Sequence, residues 1–335
     1  LAALAELTLI VNPLQAQAEM DLWALPARRV AVPHSPRALA QQWVVPARLR
    51  RLKATVYHSP YYAMPYAPGA PAVVTAHDLI PLLEPEGFSA GQRLAYYSLH
   101  CLAFHAAAQV VTPSEAARAA FLARFRLKPE AVTAVPHGLS REFQPPSAAR
   151  IAAVQQAYHL PAAYLLYLGS SKPHKNLVTL VRAMGHLPET APPLIVAGPD
   201  DPRFPQARRA AAGLGERVRF LGRVADADLP ALYGGATLYV HPARMEGFGF
   251  PVLEALGCEA PVACADIPAL RELAHDAAVY FDPREPAAMA RVIAEALEDP
   301  AGRQARRERG LQRAQAYTWE RAAARTLAIY AASAR

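Results

Sequence analysis

Cysteine is scarce in this sequence, and long hydrophobic runs are missing. The three cysteines, Cys101, Cys258 and Cys264, are odd in number and show no CxxC spacing, which excludes a disulfide framework and a structural zinc site of that type. No segment reaches the roughly 18 uninterrupted apolar residues that span a membrane, and the N-terminus lacks the basic-then-apolar order of a signal peptide. These absences predict a protein of the reducing cytoplasm.

Charged residues are also few. They make up 19% of the 335 residues, against 53% hydrophobic residues, so intrinsic disorder is excluded and the chain is long enough for about two domains. The formal net charge is +7, and the densest basic cluster is Arg48, Arg50, Arg51 and Lys53. This cluster is either a solvated helix face or a contact with anionic phospholipid or a phosphorylated acceptor. Aromatic residues are not interleaved with it, which disfavours nucleic-acid binding.

Short β-branched runs alternate with Ala-, Leu- and Arg-rich segments along the chain. This alternation is typical of parallel strands covered by helices. Strands are expected at 7–11, 55–57, 72–75, 109–112 and 132–135, and again at 164–168, 194–197, 218–221, 237–240 and 261–263. Ser114, a hydroxyl residue before an Ala-rich stretch, is expected to cap a helix that runs to about Phe125.

The segment HGLSREFQPPSAAR separates the two halves, and its Pro145–Pro146 pair and polar flanks indicate a linker. We therefore expect an α/β protein with two doubly wound, Rossmann-like domains that face each other across a cleft. Residues 1–150 form the N-terminal domain and residues 151–316 the C-terminal domain in this interpretation. Ligands in such folds lie at the carboxyl ends of the strands.

The most informative stretch is YVHPARMEGFGFPVLEALGCEAPV, residues 239–262. A strand is expected to end before a loop with Glu246, Gly247 and Gly249, and a helix to start near Pro251. Backbone N–H groups and the positive end of the helix dipole at such a turn suit a diphosphate.

Glu254 lies one turn into that helix and adds a second carboxylate, which suits the hydroxyl pairs of a ribose or hexose. The alternative is a tight glycine turn whose two glutamates are ordinary surface or capping acids. The complete string favours nucleotide-sugar recognition.

The string EGFGFPVLE, with two glutamates eight positions apart, resembles the signature of the retaining glycosyltransferases of family 4, which have the two-domain GT-B fold. The resemblance extends over most of the chain and includes VYHSPYYAMPY (56–66), VVTAHDLIPLLEPE (73–86), VVTPSEAARAAF (110–121), AVPHGL (134–139), YLGSSKPHKN (167–176), LIVAGP (194–199), VRFLGRV (218–224) and YTWERAAARTLAIY (317–330).

The resemblance implies roles for matching residues. Glu246 contacts the hydroxyls of the donor sugar, Lys175 neutralises the departing diphosphate, and Glu254 binds the ribose. His77, after the strand PAVVTA, is a third catalytic residue that bonds or orients the sugar, although a lone histidine is more often structural. The further donor-binding residues that the resemblance implies are Gly247, Phe248, Gly249, Phe250, Gly169, Ser170, Lys172, Arg223 and Val224.

Two positions depart from the family pattern. His174 and Ser170 stand where many members carry arginine. The charge clamp on the diphosphate is therefore either weaker or completed by Lys172.

The resemblance is to a bacterial, mannosyltransferase-like branch. It implies transfer of a hexose from a nucleotide sugar, with GDP-mannose as first and a UDP-hexose as second expectation, to a glycan or lipid-linked acceptor. We expect no metal ion, because cations of the protein take over its work on the leaving group, and no cofactor because the nucleotide sugar is a substrate. The alternatives are a sugar-nucleotide epimerase or phosphorylase on the same fold, and a non-catalytic sugar-binding module.

Two expectations concern the chain ends. Residues 317–335 are expected to form a helix that crosses back onto the N-terminal domain through Ala322, Leu327 and Tyr330, the alternative being a helix that covers its own domain. The segment LAALAEL (1–7) is interpreted as the end of a helix, and the family implies an earlier strand, glycine-rich loop and helix that are missing before it.

Overall fold

In the computed structural model, which describes residues 5–13 and 27–334, the chain divides into two compact units. The first unit comprises the described residues within 1–79, residues 89–136 and the C-terminal segment from Glu320. The second comprises residues 80–88 and 137–319. The division therefore lies at Pro136–His137, whereas the linker composition predicts a boundary near residue 150.

The strands of the described residues are numbered in chain order: β1 Thr8–Val11, β2 Arg28–Ala31, β3 Tyr57–Ser59, β4 Ala72–Thr75, β5 Gln109–Thr112, β6 Val132–Ala134, β7 Leu165–Leu168, β8 Leu194–Ala197, β9 Val218–Gly222, β10 Leu238–His241, β11 Val262–Ala265 and β12 Ala278–Phe281. The α-helices of the same residues are Gln41–Leu52, Ile80–Leu83, Ala90–Ala106, Glu115–Phe125, Ala148–Ala157, Leu177–Met184, Gln206–Ala211, Leu229–Gly234, Phe250–Gly257, Pro268–Ala274, Pro286–Glu298, Pro300–Gln315 and Trp319–Ser333.

The second unit contains a parallel six-stranded sheet in the order β12-β11-β10-β7-β8-β9. This is the doubly wound order of a Rossmann-like domain, in which the chain moves outward from β7 to one edge and then returns to build the other half from β10. Leu165, Leu166 and Val240 are fully buried on these strands, as expected for a parallel sheet covered on both faces. The switch point between the two halves lies between β7 and β10.

The first unit contains a parallel four-stranded sheet in the order β3-β4-β5-β6, and β1 pairs in parallel with β2. Val73 and Val74 on β4 are fully buried. Ser114 follows β5, and its hydroxyl accepts a hydrogen bond from the backbone N–H of Ala117, which caps the helix Glu115–Phe125 as predicted.

The helix Trp319–Ser333 contributes to a small core of the first unit. Ala322 and Ile329 are buried there against Val73, Val111 and Val135, with Val56 and Tyr330 packed at the margin. Of the three residues that the sequence singles out, Ala322 and Tyr330 lie in this cluster, while Leu327 is only partly buried. The hydroxyl of Tyr330 lies 2.5 Å from Nδ1 of His58 on β3.

The predicted α/β architecture with parallel sheets is confirmed. The strands expected at 72–75, 109–112 and 194–197 match to the residue, but β3 lies at Tyr57–Ser59 instead of 55–57. Two strands, β2 and β12, were not expected. The helix end predicted at 1–7 lies largely outside the described residues, and no described helix is long and apolar enough to cross a membrane.

Candidate active site

The candidate site lies at the carboxyl ends of β7 and β10, which are neighbours in the six-stranded sheet. The loop after β7 runs through the short 3-10 turn Pro173–Lys175, and the loop after β10 carries Glu246 to Gly249. Because the strand order reverses between β7 and β10, their loops diverge and leave a crevice, which is where open α/β sheets bind ligands. The sequence prediction of ligand-binding loops at strand ends is consistent with this position.

Lys175 and Glu246 form an ion pair across this point. Nζ of Lys175 lies 2.6 Å from Oε1 of Glu246, with the lysine side chain 21% and the glutamate side chain 10% exposed. Asn176 fixes the lysine loop, since its side-chain amide donates to the carbonyl oxygens of Pro242 at 3.0 Å and Pro283 at 2.7 Å. Two of the predicted catalytic residues are therefore in direct contact.

His241, the last residue of β10, is the second partner of Glu246. Its Nε2 lies 2.9 Å from Oε1 of Glu246, and its Nδ1 lies 2.9 Å from the hydroxyl of Tyr239. His241 is 1% exposed and Tyr239 is fully buried.

These neighbours keep Glu246 ionised. Burial alone would raise the pKa of Glu246, but the hydrogen bond from His241 and the charge of Lys175 outweigh it and lower the pKa to about 2. Burial also lowers the pKa of His241, so this ring is neutral at pH 7 and Lys175 supplies the positive charge.

The helix Phe250–Gly257 begins directly after the glycine loop, with Pro251 as its second residue. Gly249 precedes it with φ of +104°, and a Cβ at this position would lie 2.6 Å from Cδ2 of Leu270. Only glycine fits there without strain. The start of the helix, with its positive dipole end, thus follows shortly after Glu246 in the sequence.

Glu254 lies on this helix and is held by Tyr233. The tyrosine hydroxyl donates to Oε2 of Glu254 at 2.9 Å. Burial raises the pKa of Glu254, the hydrogen bond from Tyr233 opposes this, and the charge of Glu142 adds to it. The rings of Tyr233 and Tyr239 pack edge to face at 5.1 Å, so the tyrosines that hold Glu254 and His241 are neighbours.

The loop after β7 places the remaining predicted phosphate-side residues. Gly169 directly follows β7, and a Cβ on Gly198 would lie 2.1 Å from the Gly169 carbonyl oxygen, so the two loops approach at backbone distance. The Ser170 carbonyl oxygen accepts a hydrogen bond from the Tyr167 hydroxyl at 2.7 Å, and Lys172 is exposed. His174 is buried, and burial lowers its pKa to about 4, so it does not replace the arginine of the family pattern as a cation.

The structure places the other predicted donor residues after β9 and after β10. Arg223 is exposed and Val224 is 7% exposed, directly after β9. Phe248 is buried, whereas Phe250 is 38% exposed and stacks on His137 with ring centroids 5.0 Å apart.

His77 belongs to the first unit. It is exposed in the loop after β4, and its Nε2 lies 2.8 Å from the carbonyl oxygen of Pro60. This contact orients the ring at the carboxyl end of the sheet. The role of His77 in the reaction stays a prediction.

Sequence reasoning missed Tyr233, Tyr239, His241 and Asn176. The available signal was the pair Tyr239 and His241, two polar aromatic residues at alternate positions of an otherwise apolar strand, whose side chains share one face. Within residues 5–13 and 27–334, no group of three or more His, Cys, Asp or Glu side chains is placed to hold a metal ion.

Comparison with known proteins identifies both halves of the chain. Residues 155–313 match the family model Glycosyl transferases group 1, and residues 6–143 match the model Glycosyltransferase Family 4. The chain is 33% identical over 293 residues to O-antigen chain mannosyltransferase B of Escherichia coli, an alignment that covers 84% of this chain and 75% of that protein. It is 29% identical over 257 residues to serotype-specific mannosyltransferase WbdA of Escherichia coli, covering 74% of this chain but 32% of that protein.

Solved structures share the fold at lower identity. A glycosyltransferase from Rickettsia africae ESF-5 has a TM-score of 0.78 and 14% identity, with 97% of this chain and 89% of that chain covered. Anabaena HepE in complex with UDP and glucose has a TM-score of 0.74 and 21% identity, with 93% and 88% covered. The matches to both halves and the 33% identical relative show that the chain belongs to glycosyltransferase family 4 and is an enzyme of the GT-B fold.

Proposed function

We propose that this glycosyltransferase moves a hexose from a nucleotide sugar to a glycan or lipid-linked acceptor, with retention of the anomeric configuration and without a metal ion or cofactor. The observation that carries the proposal is the Lys175–Glu246 ion pair at the switch point between β7 and β10. A permanent cation and a permanent anion, both largely buried, meet there beside the start of a helix. This arrangement matches the two needs of a nucleotide-sugar donor, which are a counter-charge for the diphosphate and acceptors for the sugar hydroxyls.

Lys175 is the residue that we assign to the diphosphate. An ammonium group has three N–H donors, and the one directed at Glu246 leaves two for phosphate oxygens. As the bond between the sugar and the phosphate breaks, negative charge grows on the leaving diphosphate, and a fixed cation in a poorly solvated site stabilises that charge. Lys172 and the backbone of Gly169 and Ser170 complete the phosphate side of the site in this proposal.

Glu246 is the residue that we assign to the hydroxyls of the donor sugar, together with the backbone of the segment 247–250. Its ionised carboxylate only accepts hydrogen bonds, so it selects for sugar O–H groups and stabilises the positive charge that develops on the sugar ring. Glu254 is assigned to the ribose, and Arg223 and Val224 to the base. His77 is assigned to the donor sugar.

The leaving phosphate is the base in this mechanism. The acceptor hydroxyl attacks the face from which the diphosphate leaves and passes its proton to a phosphate oxygen, which preserves the anomeric configuration. Lys175 supplies the electrostatic stabilisation that a metal ion provides in other nucleotide-sugar enzymes.

GDP-mannose is the first donor that we propose, and a UDP-hexose the second. The relatives named as mannosyltransferases of O-antigen chains support mannose and a glycan acceptor, and HepE, solved with UDP and glucose, supports the second choice. The acceptor is proposed to be a growing bacterial polysaccharide or its lipid-linked precursor, and the location the cytoplasm.

A peripheral contact with the inner face of the membrane is part of the proposal. The helix Gln41–Leu52 carries exposed Arg50 and Arg51 at one end and leads to exposed Lys53, with Arg48 partly exposed. At its other end Trp43 is 69% exposed, and Leu39, just before the helix, is 78% exposed. A short segment that carries both exposed basic residues and exposed Trp and Leu has the combination that binds an anionic bilayer surface.

A donor screen tests the proposed function. Thermal unfolding is measured with GDP-mannose, UDP-glucose, UDP-galactose and ADP-glucose, since a ligand at 100 times its dissociation constant adds ~2.7 kcal/mol of stability. The stabilising donor is then incubated with an O-antigen-type acceptor, and the product is analysed by mass spectrometry. A hexose added to the acceptor is expected. Stabilisation by none of the donors, or binding without hydrolysis or transfer, contradicts the proposal.

A further inference from the structure

We propose that Tyr239 and His241 are positioning residues, which fix the rotamer of Glu246 so that one chosen carboxylate oxygen faces the donor sugar. This inference rests on the proposed role of Glu246. Neither residue is in contact with substrate in this proposal. Both act through Glu246.

The geometry forms a continuous chain. Tyr239 and His241 occupy alternate positions on β10, so their side chains lie on the same face of the sheet. The Tyr239 hydroxyl lies 2.9 Å from Nδ1 of His241, and Nε2 of His241 lies 2.9 Å from Oε1 of Glu246. The chain ends at Nζ of Lys175, 2.6 Å from the same oxygen.

The protons in this chain can have only one order. The Glu246 carboxylate accepts hydrogen bonds and cannot donate, so Nε2 of His241 carries the proton that it shares with Oε1. A neutral ring then has a bare Nδ1, and Nδ1 accepts the hydrogen of the Tyr239 hydroxyl. Burial, which lowers the pKa of His241, favours this neutral ring. The Glu246 carboxylate therefore fixes the tautomer in which Nε2 donates, and the Tyr239 hydroxyl stabilises that tautomer by donating to the bare Nδ1.

Both hydrogen bonds that described residues donate to Glu246 end on Oε1. Two donors on one oxygen, one from β10 and one from the loop after β7, hold the carboxylate in a single orientation. Oε2 is then the oxygen presented to a substrate hydroxyl. Without His241, Lys175 alone would hold Glu246 through a flexible side chain, and the carboxylate would sample other rotamers.

A residue that merely fills the core has different requirements. Leu or Phe would fill the same volume at a fully buried strand position, with no polar atom to satisfy. Here every polar atom of both side chains has a partner, and all of the partners lie on the path to Glu246. The arrangement resembles the way in which other enzymes orient a catalytic group through buried partners.

Substitutions separate positioning from stability. His241→Leu removes the donor, His241→Gln keeps an amide N–H that can reach Glu246, and Tyr239→Phe removes only the hydroxyl. The matched control is Tyr164→Phe, because Tyr164 is also fully buried in the second unit but donates to the Leu232 carbonyl oxygen at 2.8 Å. For each variant, kcat, KM for the donor, the dissociation constant of the free nucleotide and the unfolding temperature are measured.

We expect kcat to fall about 10- to 100-fold in His241→Leu, the effect of losing a hydrogen bond to a charged group. Most of this loss should return in His241→Gln. Tyr239→Phe should lower kcat by about 3- to 10-fold, because Nδ1 of His241 loses its partner and the ring is held less firmly, while Tyr164→Phe leaves kcat unchanged. Affinity for the free nucleotide should stay the same throughout. Unchanged kcat in His241→Leu, no recovery in His241→Gln, or equal losses in the two Tyr→Phe variants would overturn the proposal.

A spectroscopic test does not depend on activity. The ¹⁵N NMR signals of the His241 ring, identified by their absence in His241→Gln, should show a protonated Nε2 and a bare Nδ1 at pH 7. A ring protonated on Nδ1 overturns the proposal even if transfer is observed. Failure of the wild-type chain to use any nucleotide sugar would instead refute the proposed function, and the NMR result would still decide the tautomer.

Discussion

At the scale of single residues, the charge on Glu246 is set by its neighbours. A nearly buried carboxylate is normally driven toward its neutral form, because burial removes the water that stabilises the charge. A hydrogen bond from His241 and the ammonium group of Lys175 reverse this preference and bring the pKa to about 2. The residue is therefore an anion at neutral pH.

Glu246→Gln and Lys175→Met should each lower turnover by roughly 10²-fold or more, because each removes a preorganised charge that acts on the transition state. The two losses should not add in the double variant, since the residues form one pair. Steady-state kinetics with donor and acceptor measure this. Arg309→Met is the control, because Arg309 forms an exposed ion pair with Asp276, which precedes β12 at the amino end of the sheet. Normal turnover in either single variant would refute the assignment.

Acid should weaken the fold through its buried histidines. Burial lowers the pKa of His100 from 6.5 to about 4, so the unfolded chain binds this proton first as the pH falls. The free energy of unfolding is therefore not reduced by His100 above about pH 6.5. It falls by up to about 3 kcal/mol as the pH decreases from 6.5 to 4. His100→Phe, which keeps a ring in its aromatic cluster, should flatten the fall of the unfolding temperature over this range.

Exposed His105 provides the control for that experiment. His105→Gln should show the same dependence of unfolding temperature on pH as the wild type. Parallel curves for His100→Phe and the wild type would mean that His100 takes up its proton equally well in the folded state, against this prediction.

The sequence predicts the charged centre of the site better than its supports. Glu246, Glu254 and Lys175 stand in strings whose residue types and spacing carry chemical meaning, and two of them meet at 2.6 Å. No comparable sequence pattern identifies Tyr233 or His241. Their roles depend on the packing of β10 against neighbouring elements, which brings together residues that no local pattern connects.

At the scale of elements, the C-terminal helix buries one face in the core of the first unit and leaves another face partly exposed. Ile329 is 8% exposed and packs in the cluster with Val73, Val111 and Val135, whereas Leu327 is only partly buried and lies outside it. Periodicity within the helix identifies Ala322 and Tyr330 but cannot tell which of two nearby apolar residues faces inward, because the helix carries alanine on several sides.

Ile329→Ala should therefore destabilise the first unit by about 2 to 4 kcal/mol, the cost of a cavity in a packed cluster. Leu327→Ala, the same kind of truncation two residues away, should cost about 1 kcal/mol or less. Urea unfolding followed by circular dichroism measures both. Equal losses would show that the helix packs in another orientation.

Two strands escaped prediction for different reasons. β2 begins with Arg28 and Arg29 and pairs only with β1 among the described strands. β12 is a four-residue edge strand whose middle residues are partly exposed. Its residues Val279, Tyr280 and Phe281 are good strand formers, but a run of four is too short to show a period.

The helix Gln41–Leu52 should determine membrane binding. Co-sedimentation with vesicles of phosphatidylglycerol and phosphatidylcholine should show binding that weakens in 0.5 M NaCl, since salt screens the basic residues. Arg50→Glu should weaken binding roughly tenfold or more, and Trp43→Ser should also weaken it. Arg291→Glu makes the same charge change at an exposed position of the second unit. If Arg291→Glu weakens binding as much as Arg50→Glu, the effect is one of net charge and the helix has no special role.

At the scale of the whole molecule, the two units differ in how fully sequence defines them. The second unit has a complete doubly wound order, and its central strands are almost continuous runs of buried residues. The fold of this unit is therefore predictable from the sequence. The segment 80–88 groups with this unit although it lies between β4 and β5 of the first, and Arg244 holds it through Glu84 at 2.8 Å and Glu86 at 2.7 Å. The grouping of this segment with the second unit depends on ion pairs between residues far apart in sequence, which composition does not reveal.

The stereochemistry of the reaction is the last prediction, and it belongs to the molecule as a whole. A retaining displacement by paired carboxylates would need two free carboxyl groups about 5 Å apart, one to act as a nucleophile. Glu246 is instead paired with Lys175 and assigned to the sugar hydroxyls, while Glu254 is held by Tyr233 and assigned to the ribose. Neither is assigned to the anomeric carbon, so we expect attack on the face that the diphosphate leaves. Proton NMR of the product should show the anomeric configuration of the donor, and turnover should be the same in EDTA as in manganese. An inverted product would refute attack on this face, and activity that EDTA abolishes and manganese restores would mean that a metal ion carries the charge that is assigned to Lys175.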